Sequence, residues 1–250
     1  DNPDEIKNKI TNEDNKYYFD NQEINSLHIH QIETKYKFFT SLFNLPRFTL
    51  IVQYYNDSNL ERQKELDQCL LQNLNNPLFK RVINLVEDHT NIPEDIKNHY
   101  NYYEFKIGKR ITYQDVLDYS NQELKYETII FGNLDIIYNQ QTDLQVLKDE
   151  VVALTRVENN NYNLLLSMSS QDSWIFVPPI NINDCNFEIG SLGCDNSFAD
   201  RVMKSGLKIL NRGTKFLSFH IDQIRNQEQK NKQYLRNNAI DKGYLLLPDY

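Results

Sequence analysis

The chain has 250 residues, of which 40% are hydrophobic, 25% charged and 12% aromatic, and its formal net charge is −8. Seven glycines, three cysteines and no persistent heptad exclude a collagen, a disulfide-framework miniprotein and a coiled coil, and no apolar run approaches the roughly 20 residues of a membrane helix. So acidic a chain is a poor sequence-independent binder of nucleic acid, and a phosphorylated ligand must meet positive charge that is local: a few arginines, a helix N-terminus or a metal.

The chain opens Asp1-Asn2-Pro3, without a methionine and without a signal-peptide pattern, as a domain cut from a longer protein would. Residues 1–45 are expected to form a polar N-terminal tether or helical extension. About one residue in eight is Asn, which with abundant Ile, Lys and Tyr is the composition of an AT-rich genome and says nothing about function. Cys69, Cys185 and Cys194 are odd in number and lack C-x-x-C spacing, which fits a reducing, cytoplasmic setting.

From Pro46 strands and helices alternate. Arg47–Tyr55 is a buried strand by its run of β-formers after a proline. Ser58 and Glu61 have capping-box spacing, and Leu66, Leu70 and Leu74 recur every four residues, predicting a helix that stops at Asn75-Asn76-Pro77. Arg81–Val86 follows as a strand, Pro93–Tyr100 as a short helix and Tyr103–Ile107 as a strand. Thr112–Asn121 is a helix with Thr112 and Asp115 at its start. Glu127–Ile137 is the most apolar stretch, broken at Gly132-Asn133-Leu134-Asp135. Thr142–Asp149 is read as a helix, Val151–Thr155 and Ser173–Val177 as strands, and Asn196–Ser205 as a helix stopped by Gly206. Leu207–Leu210 and Lys215–His220 are the last strands, before a polar helix over 222–239. This alternation predicts an α/β sandwich around a largely parallel sheet, with ligands bound beyond the carboxyl ends of its strands.

Four polar clusters fall at predicted strand ends. Asp135 closes an apolar strand beside a glycine, which suits either a turn residue or a ligand to a hard divalent cation. Asp172 stands two residues before Trp174, the only tryptophan, which is either core or the floor of a sugar site. Gly190–Asn196 delivers Asp195 to a helix start, as an N-cap, a general base or both. His220 ends an apolar strand, as a core histidine or a ligand; His28, His30, His89 and His99 have polar surroundings and are expected at the surface. Arg62 and Glu65, one helical turn apart, read as a surface pair. No G-x-G-x-x-G, G-x-x-x-x-G-K-[ST], H-E-x-x-H or G-x-S-x-G is present.

In their order along the chain these clusters resemble the GT-A-type glycosyltransferases over residues 46–222. Arg62-x-x-Glu65-x-x-x-Cys69-Leu70 is similar to an "R-x-x-E-x-x-x-C-L" opening of a group within that class. Arg110-Ile111-Thr112-Tyr113 precedes Asn133-Leu134-Asp135-Ile136, which resembles the "NsDI" form of the DxD motif. Thr155-Arg156 is similar to "lsR", Ser170–Phe176 to "sqDaWiF", and Gly193-Cys194-Asp195-Asn196 with Phe219-His220 to "GCDN…HlH". Two positions depart from the pattern: Asn133 stands where a first DxD acid would, and Asp222 replaces the second His.

The resemblance implies a GT-A, Rossmann-like three-layer sandwich in one domain of residues 46–222, with 223–250 as a C-terminal helix and tail. It implies a glycosyltransferase that moves a sugar from a nucleotide-sugar donor, UDP-sugar favoured, to a hydroxyl of a glycan or glycoprotein. Mn2+ or Mg2+ would be held by Asp135 and His220. Asp195 would serve as base in an inverting transfer, with Asp172 as its rival. Tyr54, Tyr55, Arg110, Asn133, Arg156 and Trp174 would bind the donor. The alternatives are a non-catalytic nucleotide-sugar-binding protein of the same fold and a metal-dependent phosphodiesterase.

Overall fold

A computed structural model describes residues 48–88, 90–158, 171–191 and 193–222, together with the backbone of 10–13, 16–19 and 22–24. The chain divides into two units, Asp1–Leu45 and Pro46–Tyr250. In the first, β1 (Ile10–Glu13), β2 (Lys16–Phe19) and β3 (Gln22–Ile24) form an antiparallel sheet in that order. At these residues the backbone is paired strand.

In the second unit the elements follow as β4 (Phe48–Val52), α1 (Leu60–Leu74), β5 (Phe79–Val86), α2 (Glu94–Lys97), β6 (Tyr102–Lys106), α3 (Tyr113–Glu123), β7 (Thr128–Gly132) and β8 (Ile136–Tyr138). They continue as β9 (Glu150–Leu154), β10 (Arg156–Glu158), β11 (Ser173–Phe176), α4 (Cys194–Lys204), β12 (Lys208–Asn211) and β13 (Ser218–His220). The main sheet has seven strands in the order β12-β9-β11-β7-β4-β5-β6. β11 is antiparallel to both of its neighbours, and every other pairing is parallel.

Strand residues alternate between two apolar layers, as period-2 geometry requires. Ile51, Ile83, Phe131, Ala153 and Trp174 face α3 and α4. Leu50, Val82, Ile130, Val152 and Ile175 face α1 and α2. With both faces covered, the strands read in sequence as near-continuous apolar runs. The architecture is thus the expected three-layer α/β sandwich around a mostly parallel sheet.

Strand order turns at β4, from which the chain winds outward through β5 and β6 before returning to its other side as β7. This is the switch point at which such sheets bind ligands. The segments leaving β7 and β9 are caught there by a second, small sheet, β10-β13-β8. Its register sets Arg156 opposite Ser218, and His220 opposite both Glu158 and Ile136.

The free edge of β8 is satisfied by side chains of α1 and of the turn that follows it. Asn73 donates to the Ile136 carbonyl at 2.7 Å and accepts from the Tyr138 N–H at 3.3 Å, and Asn76 donates to the Tyr138 carbonyl at 3.0 Å. Gly132, just before the turn, is obligatory for space: a Cβ there would lie 2.1 Å from the Tyr138 hydroxyl.

Other expectations are corrected. The cap of α1 is Asn59, whose side chain accepts from the Glu61 and Arg62 N–H groups, and not Ser58. Thr112 and Asp115 do form a reciprocal capping box on α3. Residues 142–149 are not a helix: the Thr142 hydroxyl accepts from Leu144 N–H, and the Glu150 carboxylate accepts from Leu147 N–H, so side chains take the place of helical bonds. The helix expected over 222–239 lies outside the described residues from 223 onward.

Asn73→Ala leaves two buried backbone groups of β8 unsatisfied and should cost about 1–3 kcal/mol. Denaturant unfolding followed by circular dichroism reads this as a lower midpoint at unchanged slope; an unshifted midpoint would mean that β8 is not held by α1.

Candidate functional site

The polar clusters of the sequence gather where the parallel strands end. Asp135 leaves the β7–β8 turn with only 6% exposure, and His220 ends β13 at 6%. Their register places His220 Nε2 3.3 Å from Asp135 Oδ2, and the Ile221 N–H donates to the Asp135 carbonyl. The pair predicted from sequence is therefore assembled.

Arg62 is also part of this cluster. It projects from the first turn of α1, is 2% exposed, and donates to Asp135 Oδ2 at 2.5 Å, Glu65 Oε2 at 2.9 Å and the Ile221 carbonyl at 2.6 Å. Asp222 lies 4.0 Å away. Burial opposes the charged guanidinium, but Asp135, Glu65 and Asp222, with Tyr55 nearby, outweigh it and hold its pKa above the ordinary value. Removing one partner of such a buried pair typically costs about 3–5 kcal/mol. The surface-pair reading of Arg62 and Glu65 is overturned. A signal was available: the four-residue ladder Leu74, Leu70, Leu66 extends back one step to Arg62.

The donor chemistry suits a hard divalent cation. Three carboxylates surround a single guanidinium, and an imidazole meets one of them, an excess of buried negative charge that a further cation would relieve. Among the described residues no three His, Cys, Asp or Glu are arranged to hold a metal unaided, so ligand oxygens would have to complete the coordination.

A second cluster adjoins the first through Asn133. Its side chain donates to Asp172 Oδ1 at 3.1 Å, and its N–H donates to the Asp172 carbonyl. Arg156 Nη1 donates to Asp172 Oδ2 at 2.8 Å. The approach of β9 to β12 sets the position of Arg156: Asn211 bonds the Thr155 N–H and hydroxyl, and a Cβ on Gly213 would lie 2.7 Å from Thr155 N.

Asp195 lies in the first turn of α4, which is capped by Gly193 at φ 80°. Its side chain is therefore not the N-cap. Instead it accepts from the Tyr113 hydroxyl at 2.8 Å. Burial, reinforced by the charge of Asp172, pushes its carboxyl up to about 7, against the opposing pull of Tyr113, Arg156 and the Trp174 indole. Tyr113 was not singled out as a site residue from sequence; its position next to Thr112, the cap of α3, was the only cue.

Two expected donor contacts lie in the core. Trp174 is 1% exposed and packs edge-on against Phe198 at 4.9 Å, so its ring is core and not a platform. Tyr54 is fully buried, with its hydroxyl bonded to Asp67 and Gln63. Tyr55 beside it is only half-buried. Arg110 donates to the Ile189 carbonyl at 2.9 Å and is held against the segment leading to α4. Cys69 and Cys194 back the two clusters as buried free thiols; burial pushes Cys69 up to about 12 and raises Cys194 further.

Neither a family model nor a curated protein sequence matches the chain significantly. Among solved structures it is similar to a mannosyltransferase from Pyrobaculum calidifontis in complex with GDP-Man and Mn2+. That match has a TM-score of 0.47 and 13% identity, and covers 70% of this chain and 57% of that one. It is also similar to the inositol-1-phosphate CTP transferase from T. maritima, with a TM-score of 0.44 and 11% identity over 74% of this chain and 94% of that one.

Because the folded protein holds the Asp195 proton more tightly than the unfolded chain, whose Asp titrates near 4, this residue lowers stability as pH rises from about 4 to about 7. Asp195→Asn should therefore melt above wild type at pH 8, with the gap closing towards pH 4. Calorimetric scans across that range check this, and parallel wild-type and variant curves would contradict it.

Proposed function

We propose that the protein is a nucleotide-sugar-dependent glycosyltransferase that moves a sugar from a donor, a UDP-sugar by preference, to a hydroxyl of a glycan or glycoprotein acceptor. The observation that carries this reading is the meeting of two unlike acidic clusters at one switch point. One surrounds a buried arginine with carboxylates and an imidazole, as a diphosphate–cation site requires. The other offers a carboxyl that titrates near neutrality.

In this reading Asp135 and His220 would hold a divalent ion, Mn2+ or Mg2+, which when bound would supply positive charge to the donor diphosphate. Arg62 keeps Asp135 in place through the bond to its Oδ2. Tyr55, half-buried at the end of β4, is the aromatic left for the nucleobase once Tyr54 is assigned to the core. Asn133 and Arg156 fix Asp172, which with Arg156 suits the hydroxyls of the transferred sugar. Asp195 accepts the proton of the acceptor hydroxyl as that oxygen bonds to the anomeric carbon and the bond to the diphosphate breaks. A single displacement of this kind inverts the anomeric centre.

Asp135→Ala should abolish binding of a UDP-sugar measured calorimetrically with manganese present, and an unchanged isotherm would remove Asp135 from the site. Asp195→Asn should bind donor as wild type does yet lose transfer by about 10²–10⁴-fold, the usual contribution of a general base. Wild-type turnover in that variant would pass the role to Asp172. Donor binding by the wild-type protein with neither transfer nor slow donor hydrolysis would instead favour a non-catalytic nucleotide-sugar-binding protein.

A further inference from the structure

We propose that Tyr113 is a positioning residue for Asp195: it orients the carboxylate and biases it towards its charged form. The inference rests on the reading of Asp195 as general base and adds what sets that base in place.

The geometry is specific. Tyr113 is the first residue of α3 and Asp195 lies in the first turn of α4, so two helix N-termini are joined by one bond, from the phenol to Asp195 Oδ1 at 2.8 Å. The Tyr113 ring cannot swing away. It is 3% exposed, stacks on Phe198 at 4.6 Å, and meets Phe187 at 5.1 Å and Phe131 at 5.5 Å. Burial raises the phenol well above its ordinary pKa, so it stays protonated and can only donate to the carboxylate. A donor fixed on one oxygen stabilises the anion and leaves the other oxygen to define a direction.

The groups that face Asp195 oppose one another. Asp172, at the start of β11, raises it by its charge. Arg156 of β10, the Trp174 indole and Tyr113 lower it. The Cys194 thiol lies 3.8 Å from the same Oδ1 and 3.7 Å from the Tyr113 hydroxyl, but it is itself raised by burial and remains neutral. Tyr113 is the one of these that can lose its polar atom while every ring contact is kept.

The test uses the single tryptophan of the chain, Trp174, as a reporter. Its emission in the intact 250-residue chain, followed from pH 5 to 9, should titrate with a midpoint near 7. In Tyr113→Phe the midpoint should rise by about one unit, the usual size of one lost hydrogen bond to a charged group. At pH 7 this leaves about a tenth of the carboxylate in place of half, a roughly fivefold loss of kcat/KM that recovers by pH 9. Site-specific 3-fluorotyrosine at position 113, a stronger donor of nearly the same volume, should move the midpoint down, and it keeps the test available if the Phe variant folds poorly. Midpoints that stay put in both variants overturn the proposal. So does a titration that survives in Asp195→Asn, since the reported group is then another. Turnover that survives in Asp195→Asn while its titration is lost overturns the base reading on which the proposal rests, so the two failures are distinguishable.

Discussion

Arg62 reaches from the first turn of α1 to Asp135 in the β7–β8 turn and to the backbone at the end of β13, so one guanidinium ties together three segments far apart in sequence. Burying these charges is expensive, and the fork geometry of arginine makes it tolerable: separate N–H groups serve a carboxylate on another segment, a carboxylate one turn along its own helix, and a carbonyl. A lysine in that place would offer one point charge without the planar spread. Position of the acid, closure of the small sheet and seating of α1 on the main sheet are thereby coupled, and a disturbance in any of them reaches the others.

The abundance of asparagine finds a physical use in the same terms. Asn73 and Asn76 complete the edge of β8; Asn101 donates to the Leu74 carbonyl, Asn84 accepts from the Tyr54 N–H, Asn121 pairs with both backbone groups of Ile180, and Asn211 binds Thr155 and Gly213. A carboxamide carries donor and acceptor side by side, as a peptide group does, and so can stand in for a missing strand or turn partner.

The main sheet was legible because its strands are buried on both faces and appear as uninterrupted apolar runs. The pairing of Asp135 with His220 was legible only from the order of motifs, since the register that joins them spans 85 positions and leaves no local trace. Arg62 was misread because an Arg–Glu pair at i, i+3 is the ordinary pattern of a solvated face, although its alignment with the leucine ladder argued otherwise. The sequence left Trp174 open between core and platform, and burial decides for the core; of Tyr54 and Tyr55, one residue apart, Tyr54 is the one turned inward, because neighbouring strand residues point to opposite sides. Residues 142–149 have helix-compatible composition, but tertiary bonds from Thr142 and Glu150 decide their path.

Two of the three cysteines carry a consequence of a different kind. Cys69 lies on the buried face of α1 behind Arg62, and Cys194 directly precedes Asp195, so each cluster has a thiol within a residue or two turns of it. Burial suppresses the thiolate in both, which makes the native state a poor substrate for alkylating reagents. Modification must wait for a local opening of the chain around the sulfur. The rates at which the two thiols react therefore form a built-in clock for local opening beside each cluster, read separately and without a ligand.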